Sequence, residues 1–405
     1  MPKLSTRAEA LPASPIRKLV PLADAAEKRG VGVYYLNIGQ PDIPTPPQFF
    51  EAVDQSEIAV LAYSHSAGNE SLRQHIADYY QRLGQGIQSD QIIVTTGASE
   101  ALSFVFAAIT NPSDEIIVPE PFYANYNSFS LAKDAKVVPV TTHIENDFAL
   151  PSIDAFREKI NERTRAILIC NPGNPTGILY TREELEALRD LAKEHDLFLI
   201  ADEVYREFAY DSSQHLSVLG FDGVDENVIV VDSISKRFSA CGARIGCVIS
   251  RNNELMDVIM KMAQARLSPP TFGQMGAEAA YQLPASYYEE VVDEYRGRRD
   301  VLKEALAEIP GVVCPNINGA FYAMVQLPVE SAEDFCHWLL DEFEYEGKTV
   351  MLAPGAGFYA TPGLGADQVR IAYVLNQEDL RSAMACLAAG LKAYRARTES
   401  VGTAS

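Results

Sequence analysis

The chain predicts an α/β fold: a mostly parallel, seven-stranded sheet flanked by helices, joined to a smaller α+β domain. Three observations carry that reading. Between residues 90 and 250, seven short apolar runs rich in β-branched residues recur: IIVTTG, EIIVPEP, KVVPVTT, RAILICN, LFLIADE, VIVVDS and IGCVIS. Helix-like stretches such as ASEALSFVFAAI and TREELEALRDLAKEH lie between several of them. After about residue 285 the texture changes to a long charged amphipathic helix, YYEEVVDEYRGRRDVLKEALAEI, and then to mixed strands and helices. Near-continuous apolar strands alternating with helices are the mark of a parallel sheet buried on both faces. A chain of 405 residues is also too long for one ordinary core, so two domains are expected.

From the N-terminus, MPKLSTRAEALPASPIRKLVPLADAAEKRG is periodic and lacks a continuous apolar core, so it reads as an amphipathic helix rather than a signal peptide. Residues 1–48 are assigned to the small domain, 49–285 to the large one, and 286–395 complete the small one. Residues 396–405, ending in RTESVGTAS, are expected to be a disordered tail. The segment TREELEALRDLAKEH has its acids early and its bases late, as the helix dipole favours. There is no internal repeat.

Composition narrows the function. Side chains total 55 acidic against 34 basic, a formal net charge of −21, and such a surface repels nucleic-acid backbones. A small anionic substrate stays possible if arginines converge on one cleft. No apolar stretch approaches the roughly 18 residues that a membrane span needs, so a cytoplasmic protein is expected. The six cysteines (Cys170, Cys241, Cys247, Cys314, Cys336, Cys386) form no CxxC pair and read as reduced, mostly buried thiols. The six histidines form no metal-ligand spacing, so no metal site is expected.

In parallel sheets, ligands gather at the carboxyl ends of the strands. The unusual residues of this chain lie at those ends. VTTGASEAL (Val94 to Leu102) is strand, glycine turn and helix; the amides of Ala98 and Ser99 suit a phosphate, although a plain N-cap explains the same residues. NPGNPTG (Asn171 to Gly177) carries two prolines and two glycines, more than a simple turn needs, and presents Asn174 as a fixed hydrogen-bonding group. In FLIADEVYREF, Asp202 ends an apolar strand, where a buried carboxylate is costly unless a cation such as a protonated heterocyclic nitrogen meets it. Tyr205 offers a phenol nearby. In DSISKRFSACGARIG, Lys236 can condense with an aldehyde to form a Schiff base, and Arg244 suits a dianionic phosphate, with Ser233 and Ser235 adding hydroxyls.

These motifs, in this order and spacing, resemble the class I and II aminotransferases, fold-type-I pyridoxal-phosphate enzymes similar in architecture to aspartate aminotransferase. The resemblance runs from LNIGQPDIPTP (Leu36 to Pro46) to VRIAYVLNQEDL (Val369 to Leu380). It implies that Lys236 anchors pyridoxal 5′-phosphate and serves as general base, and that Asp202 pairs with the ring nitrogen. It implies further that Tyr205 and Asn174 hold the ring 3-oxygen, that Ala98, Ser99, Ser233 and Arg244 form the phosphate cup, and that Tyr123 stacks on the ring. Tyr63 matches a tyrosine that reaches the phosphate from a neighbouring subunit, which implies a homodimer with active sites at the interface. Arg370 and Gly39 match groups that receive the substrate carboxylate, closing on it with the small domain. Two departures stand out: Cys241 and Ala243 replace a usual threonine and a bulky aromatic, and neither is expected to touch the chemistry. The implied substrates are an amino acid and a 2-oxo acid, with aspartate and 2-oxoglutarate the leading pair and Arg266 a candidate cation for the distal carboxylate. An aromatic or alanine aminotransferase, or a C–S β-lyase on the same scaffold, are the alternatives.

Overall fold

The computed structural model describes residues 2–211 and 214–402. Twelve strands are arranged in three sheets: β1 (Gly32–Tyr35), β2 (Ile92–Thr95), β3 (Glu115–Glu120), β4 (Lys136–Thr141), β5 (Thr164–Cys170), β6 (Phe198–Asp202), β7 (Val228–Ser233), β8 (Gly246–Ile249), β9 (Tyr322–Gln326), β10 (Lys348–Met351), β11 (Ala353–Pro354) and β12 (Gln368–Ala372). The large sheet has seven strands in the order β2-β8-β7-β6-β5-β3-β4. Its pairs are parallel from β7 to β4, and only β8 runs against its neighbours. The seven apolar runs of the sequence are these seven strands.

Alternate residues along the strands face opposite cores. Ile116, Val118, Leu168, Ile200, Ile229 and Val231 pack with Leu102, Val105 and Phe106 of helix Ala98–Ile109 and with Ile259 of helix Asn253–Arg266. Ile117, Ile167, Ile169, Leu199 and Val230 pack on the other face with Leu185, Leu188 and Leu191 of helix Arg182–Glu194. Both faces being dry explains why the strands read as unbroken apolar runs. Helix Arg182–Glu194 starts at the capping box of Thr181 and Glu184, where each side chain meets the other's backbone N–H.

A third core joins Leu19, Ala23 and Leu36 to strands β9, β10 and β12 and to helices Ala285–Ala307, Ala332–Asp341 and Gln377–Gly402. Strand β1 pairs in parallel with β10, tying the N-terminal segment to the C-terminal third of the chain. Two sequence expectations are corrected. The single N-terminal helix is two, Thr6–Ala10 and Val20–Lys28; Pro12 and Pro15, which lack a backbone N–H, interrupt it. The tail, expected to be disordered from residue 396, continues the last helix to Gly402, because extending an existing helix costs far less than starting one. Residues 403–405 lie outside the described residues.

Candidate active site

A cavity of about 520 Å³ opens at the carboxyl ends of β5, β6 and β7. Lys236, Asp202, Tyr205, Asn174, Tyr123, Ala98, Ser99, Ser233, Arg244, Gly39 and Arg370 all line it. Residues from Gly39 to Arg370 thus meet at one place: most sit at the ends of strands of the large sheet, Gly39 follows β1 and Arg370 lies on β12.

Lys236 stands on the four-residue helix Ile234–Arg237, which begins directly where β7 ends. Ser233 caps that helix by accepting from the amide of Ser235 at 3.1 Å. The Lys236 ammonium donates to the Gly39 carbonyl at 2.7 Å and lies 3.8 Å from Cys241 Sγ. Cys241 is therefore in the site, contrary to the expectation that it stands clear of the chemistry. A short side chain at the turn Cys241–Ala243 folds back under the lysine, and its thiol donates to the Ser235 carbonyl at 3.1 Å.

Asp202 is buried at the end of β6. Its Oδ2 accepts from the Tyr126 hydroxyl at 2.8 Å and its Oδ1 from the Val204 amide at 3.4 Å. Burial pushes its carboxyl up to about 6, against the pull of those two donors. Among the described residues no cation is ion-paired with it. Arg370 has the converse deficit. Fully buried on β12, its Nη1 donates to Asn174 Oδ1 at 3.0 Å and its Nη2 to the Asn37 carbonyl at 2.5 Å, while its Nε is left without a partner. The rings of Tyr322 and Phe358 sandwich it at 4.5 and 4.9 Å. Among the described residues no carboxylate pairs with it, and burial lowers its pKa. An isolated buried guanidinium is costly, so this one is set for an anionic ligand.

At the other end of the cavity, Gly97 takes φ +77° before helix Ala98–Ile109, and a Cβ there would come 2.5 Å from Arg244 Nη2. The first amides of that helix have no acceptor within it. Arg244 adopts φ 55°, a left-handed conformation uncommon for arginine, and donates to the carbonyls of Cys241 at 3.0 Å and Thr96 at 3.4 Å. A guanidinium, free helix amides and serine hydroxyls around a glycine form a phosphate cradle. Asn174 Nδ2 lies 3.4 Å from the Tyr205 hydroxyl, which in turn lies 2.9 Å from the Tyr322 hydroxyl. Burial raises the Tyr205 phenol well above its usual range.

The arrangement presents, in one cavity, an amine, a buried carboxylate lacking a cation, two hydrogen-bonding groups and a phosphate cradle. That set matches the aldehyde, ring nitrogen, ring oxygen and phosphate of pyridoxal phosphate. The family model for class I and II aminotransferases matches residues 31–387. The chain belongs to the class I and II aminotransferases. Among its relatives, the aspartate aminotransferase of Bacillus subtilis is 32% identical, with 94% of this chain and 97% of the relative covered. The arginine–pyruvate transaminase of Pseudomonas aeruginosa is 34% identical over 89% of this chain and 90% of its own length. The solved alanine aminotransferase of Pyrococcus furiosus superposes with a TM-score of 0.87 at 32% identity, covering 96% of this chain and all of that one. The aminotransferase is a pyridoxal-phosphate enzyme, and its α/β architecture is that of fold type I.

Two residues singled out in the sequence lie elsewhere. Tyr63 is 79% exposed and does not line the cavity of its own chain. Arg266 ends helix Asn253–Arg266, pairs with Glu100 at 2.7 Å and donates to the Ser66 carbonyl at 2.9 Å. Glu100 also accepts from the Thr96 amide at 2.8 Å, so Arg266 braces the phosphate loop from outside the cavity. Its charge is already met by a neighbouring carboxylate, and it does not line the cavity where the substrate was expected to meet it. Sequence reading missed Tyr126, Tyr322 and Arg17. Tyr126 was legible as the phenol three residues beyond Tyr123; Tyr322, at the start of β9, gives no local signal.

Proposed function

We propose that this aminotransferase transfers the amino group of aspartate to 2-oxoglutarate in two half-reactions, as a homodimer. The observation that carries a carboxylate-bearing substrate is Arg370: buried, short of a counter-anion, and in the same cavity as Lys236 and Asp202. The choice of aspartate is supported by the Bacillus subtilis relative of that name.

When bound, pyridoxal phosphate supplies the aldehyde that accepts the amino group and a ring that draws electrons from the substrate Cα. Lys236 would hold the aldehyde carbon, and its free amine would take up and deliver the proton at the substrate Cα. Asp202, its position fixed by Tyr126, would hold the ring nitrogen protonated. Asn174 and Tyr205 would hold the ring oxygen, and Tyr123 would pack beside the ring. Ala98, Ser99, Ser233 and Arg244 bind the phosphate. Arg370 and the Gly39 backbone orient the substrate α-carboxylate, with the small domain closing over it. Tyr63, displayed on the surface, completes the phosphate site of the neighbouring subunit.

Mixing the loaded enzyme with single amino acids and following its visible absorbance tests the substrate. Rapid loss with aspartate and glutamate, restored by oxaloacetate or 2-oxoglutarate, is expected. Loss with phenylalanine, tyrosine or alanine while aspartate stays inert would overturn the aspartate reading. Release of pyruvate and thiol from a cysteine S-conjugate, without amino transfer, would point to the β-lyase. Lys236→Ala is expected to abolish transamination while retaining phosphate-anchored cofactor.

A further inference from the structure

The cavity walls carry four cationic side chains, Arg17, Lys236, Arg244 and Arg370, against a single carboxylate, Asp202. Three of the cations have assignments: Lys236 to the aldehyde carbon, Arg244 to the phosphate and Arg370 to the substrate α-carboxylate. Arg17 remains. Its guanidinium has no hydrogen-bond or ion-pair partner among the described residues, unlike Arg266, which Glu100 holds at 2.7 Å.

We propose that Arg17 reads the distal carboxylate of the substrate, making this site selective for dicarboxylic amino acids through a residue of the same chain. The inference rests on the reading that Arg370 takes the α-carboxylate. Its geometry is a short relay of hydrogen bonds. Arg370 Nη2 donates to the Asn37 carbonyl at 2.5 Å, and Asn37 Nδ2 donates to the Ile16 carbonyl at 2.7 Å. The residue after Ile16 is Arg17. Its backbone is set by a turn in which the amides of Arg17 and Lys18 both donate to the Ser14 carbonyl, at 3.2 and 3.0 Å. Pro15 seats the turn against Gly357, where a Cβ would come 2.4 Å from the proline ring. The two guanidinium groups therefore spring from segments bolted to one another, on the wall where Ile16 and Ile38 supply apolar surface. A substrate held by Arg370 at one end lays its aliphatic part along that wall and presents its far end to Arg17.

The chemistry favours this occupant. A protein of net charge −21 repels dicarboxylates in general, and only a local excess of positive charge draws one in. A carboxylate that leaves water needs a cation or several donors, and the other cavity cations are engaged. A monocarboxylic amino acid leaves Arg17 in solvent, at little cost, because the side chain is exposed.

The test uses the loaded enzyme and the variants Arg17→Ala and Arg17→Lys. Because Arg17 is exposed, both variants are expected to fold. With Arg17→Ala, the half-reaction kcat/KM for aspartate is expected to fall about thirtyfold, the scale of one charge-assisted contact. That for alanine is expected to fall less than about threefold. Arg17→Lys is expected to recover part of the aspartate rate. The second readout is equilibrium binding of unreactive acids: succinate binding is expected to weaken in Arg17→Ala while butyrate binding barely moves. Equal losses for alanine and aspartate, or unchanged succinate affinity, would overturn the assignment. A wild-type enzyme that ignores aspartate but whose succinate binding depends on Arg17 would sink the aspartate reading and leave the carboxylate-reading role standing.

Discussion

At the scale of single residues, Asp202 and Arg370 are two buried groups of opposite charge type that have neutral hydrogen-bond partners but no ion pair among the described residues. Asp202 has consequences for stability. Its carboxyl is raised to about 6 by burial, so the cofactor-free folded chain keeps this proton at pH values where the unfolded chain has lost it. Stability from this group therefore falls as pH rises from about 4 to about 6, and the full penalty, on the order of 3 kcal/mol, persists above that. In Asp202→Asn the penalty is absent. Cofactor-free Asp202→Asn is expected to melt above cofactor-free wild type at pH 8 and level with it near pH 4. Pyridoxal phosphate is expected to stabilise wild type far more than the variant at pH 8. A variant that melts lower at pH 8 would show that the carboxylate is not the strained group. This residue was legible in the sequence because a charge closing an apolar strand demands a partner. The surroundings of Arg266 were not legible for an equally physical reason: which way a helix terminus faces depends on packing, and Glu100, 166 positions away in sequence, pairs with its charge.

Among the elements, the strand-to-helix junctions do most to build the site, and they were the most legible part of the chain. Glycine, proline and hydroxyl residues directly after an apolar run leave few conformations open. The N-terminal segment was less so: its periodicity is helical on either side of Pro12 and Pro15, and a hydrophobic pattern alone does not show that the intervening turn faces a cavity. At the phosphate junction, Gly97 combines φ +77° with ψ 170°, a region essentially reserved for glycine, and the Arg244 guanidinium occupies the space a Cβ would need. Gly97→Ala is expected to cost about 1–3 kcal/mol of stability from the backbone alone. Because it also displaces Arg244, it is expected to raise the dissociation constant for pyridoxal phosphate about tenfold, measured by titrating the cofactor-free protein. The neighbouring Arg237 is a different kind of support. Buried directly after Lys236, it donates to Asp232 at 2.8 Å and to the Tyr281 hydroxyl at 3.0 Å, with the Tyr79 ring 4.4 Å from its guanidinium. Removing one partner strands a buried charge, so Arg237→Ala is expected to destabilise the fold by about 3–5 kcal/mol, read from denaturant unfolding.

For the molecule as a whole, the proposed dimer explains a set of large apolar side chains left on the surface. Phe50, Val60, Leu61, Tyr63 and Phe272 are 55, 79, 58, 79 and 42% exposed. Phe50 and Phe272 line an apolar groove of about 510 Å³, together with Ala240, Gly242 and Ala243 from the loop that leads into Arg244. Large exposed apolar groups gathered beside a site are where a partner sits. If a second copy covers this groove and its Tyr63 completes the phosphate site as proposed, assembly and cofactor binding are linked. The double variant Leu61→Asp/Phe272→Asp places two charges in that face. It is expected to halve the molecular mass seen by light scattering after size exclusion, and to weaken pyridoxal phosphate binding in parallel. Tyr63→Phe, which keeps the apolar ring, is expected to stay dimeric yet lose several-fold in cofactor affinity, the scale of one lost hydrogen bond to a charged group. A monomeric double variant with undiminished cofactor affinity would separate the two, and would place the whole phosphate site within one chain.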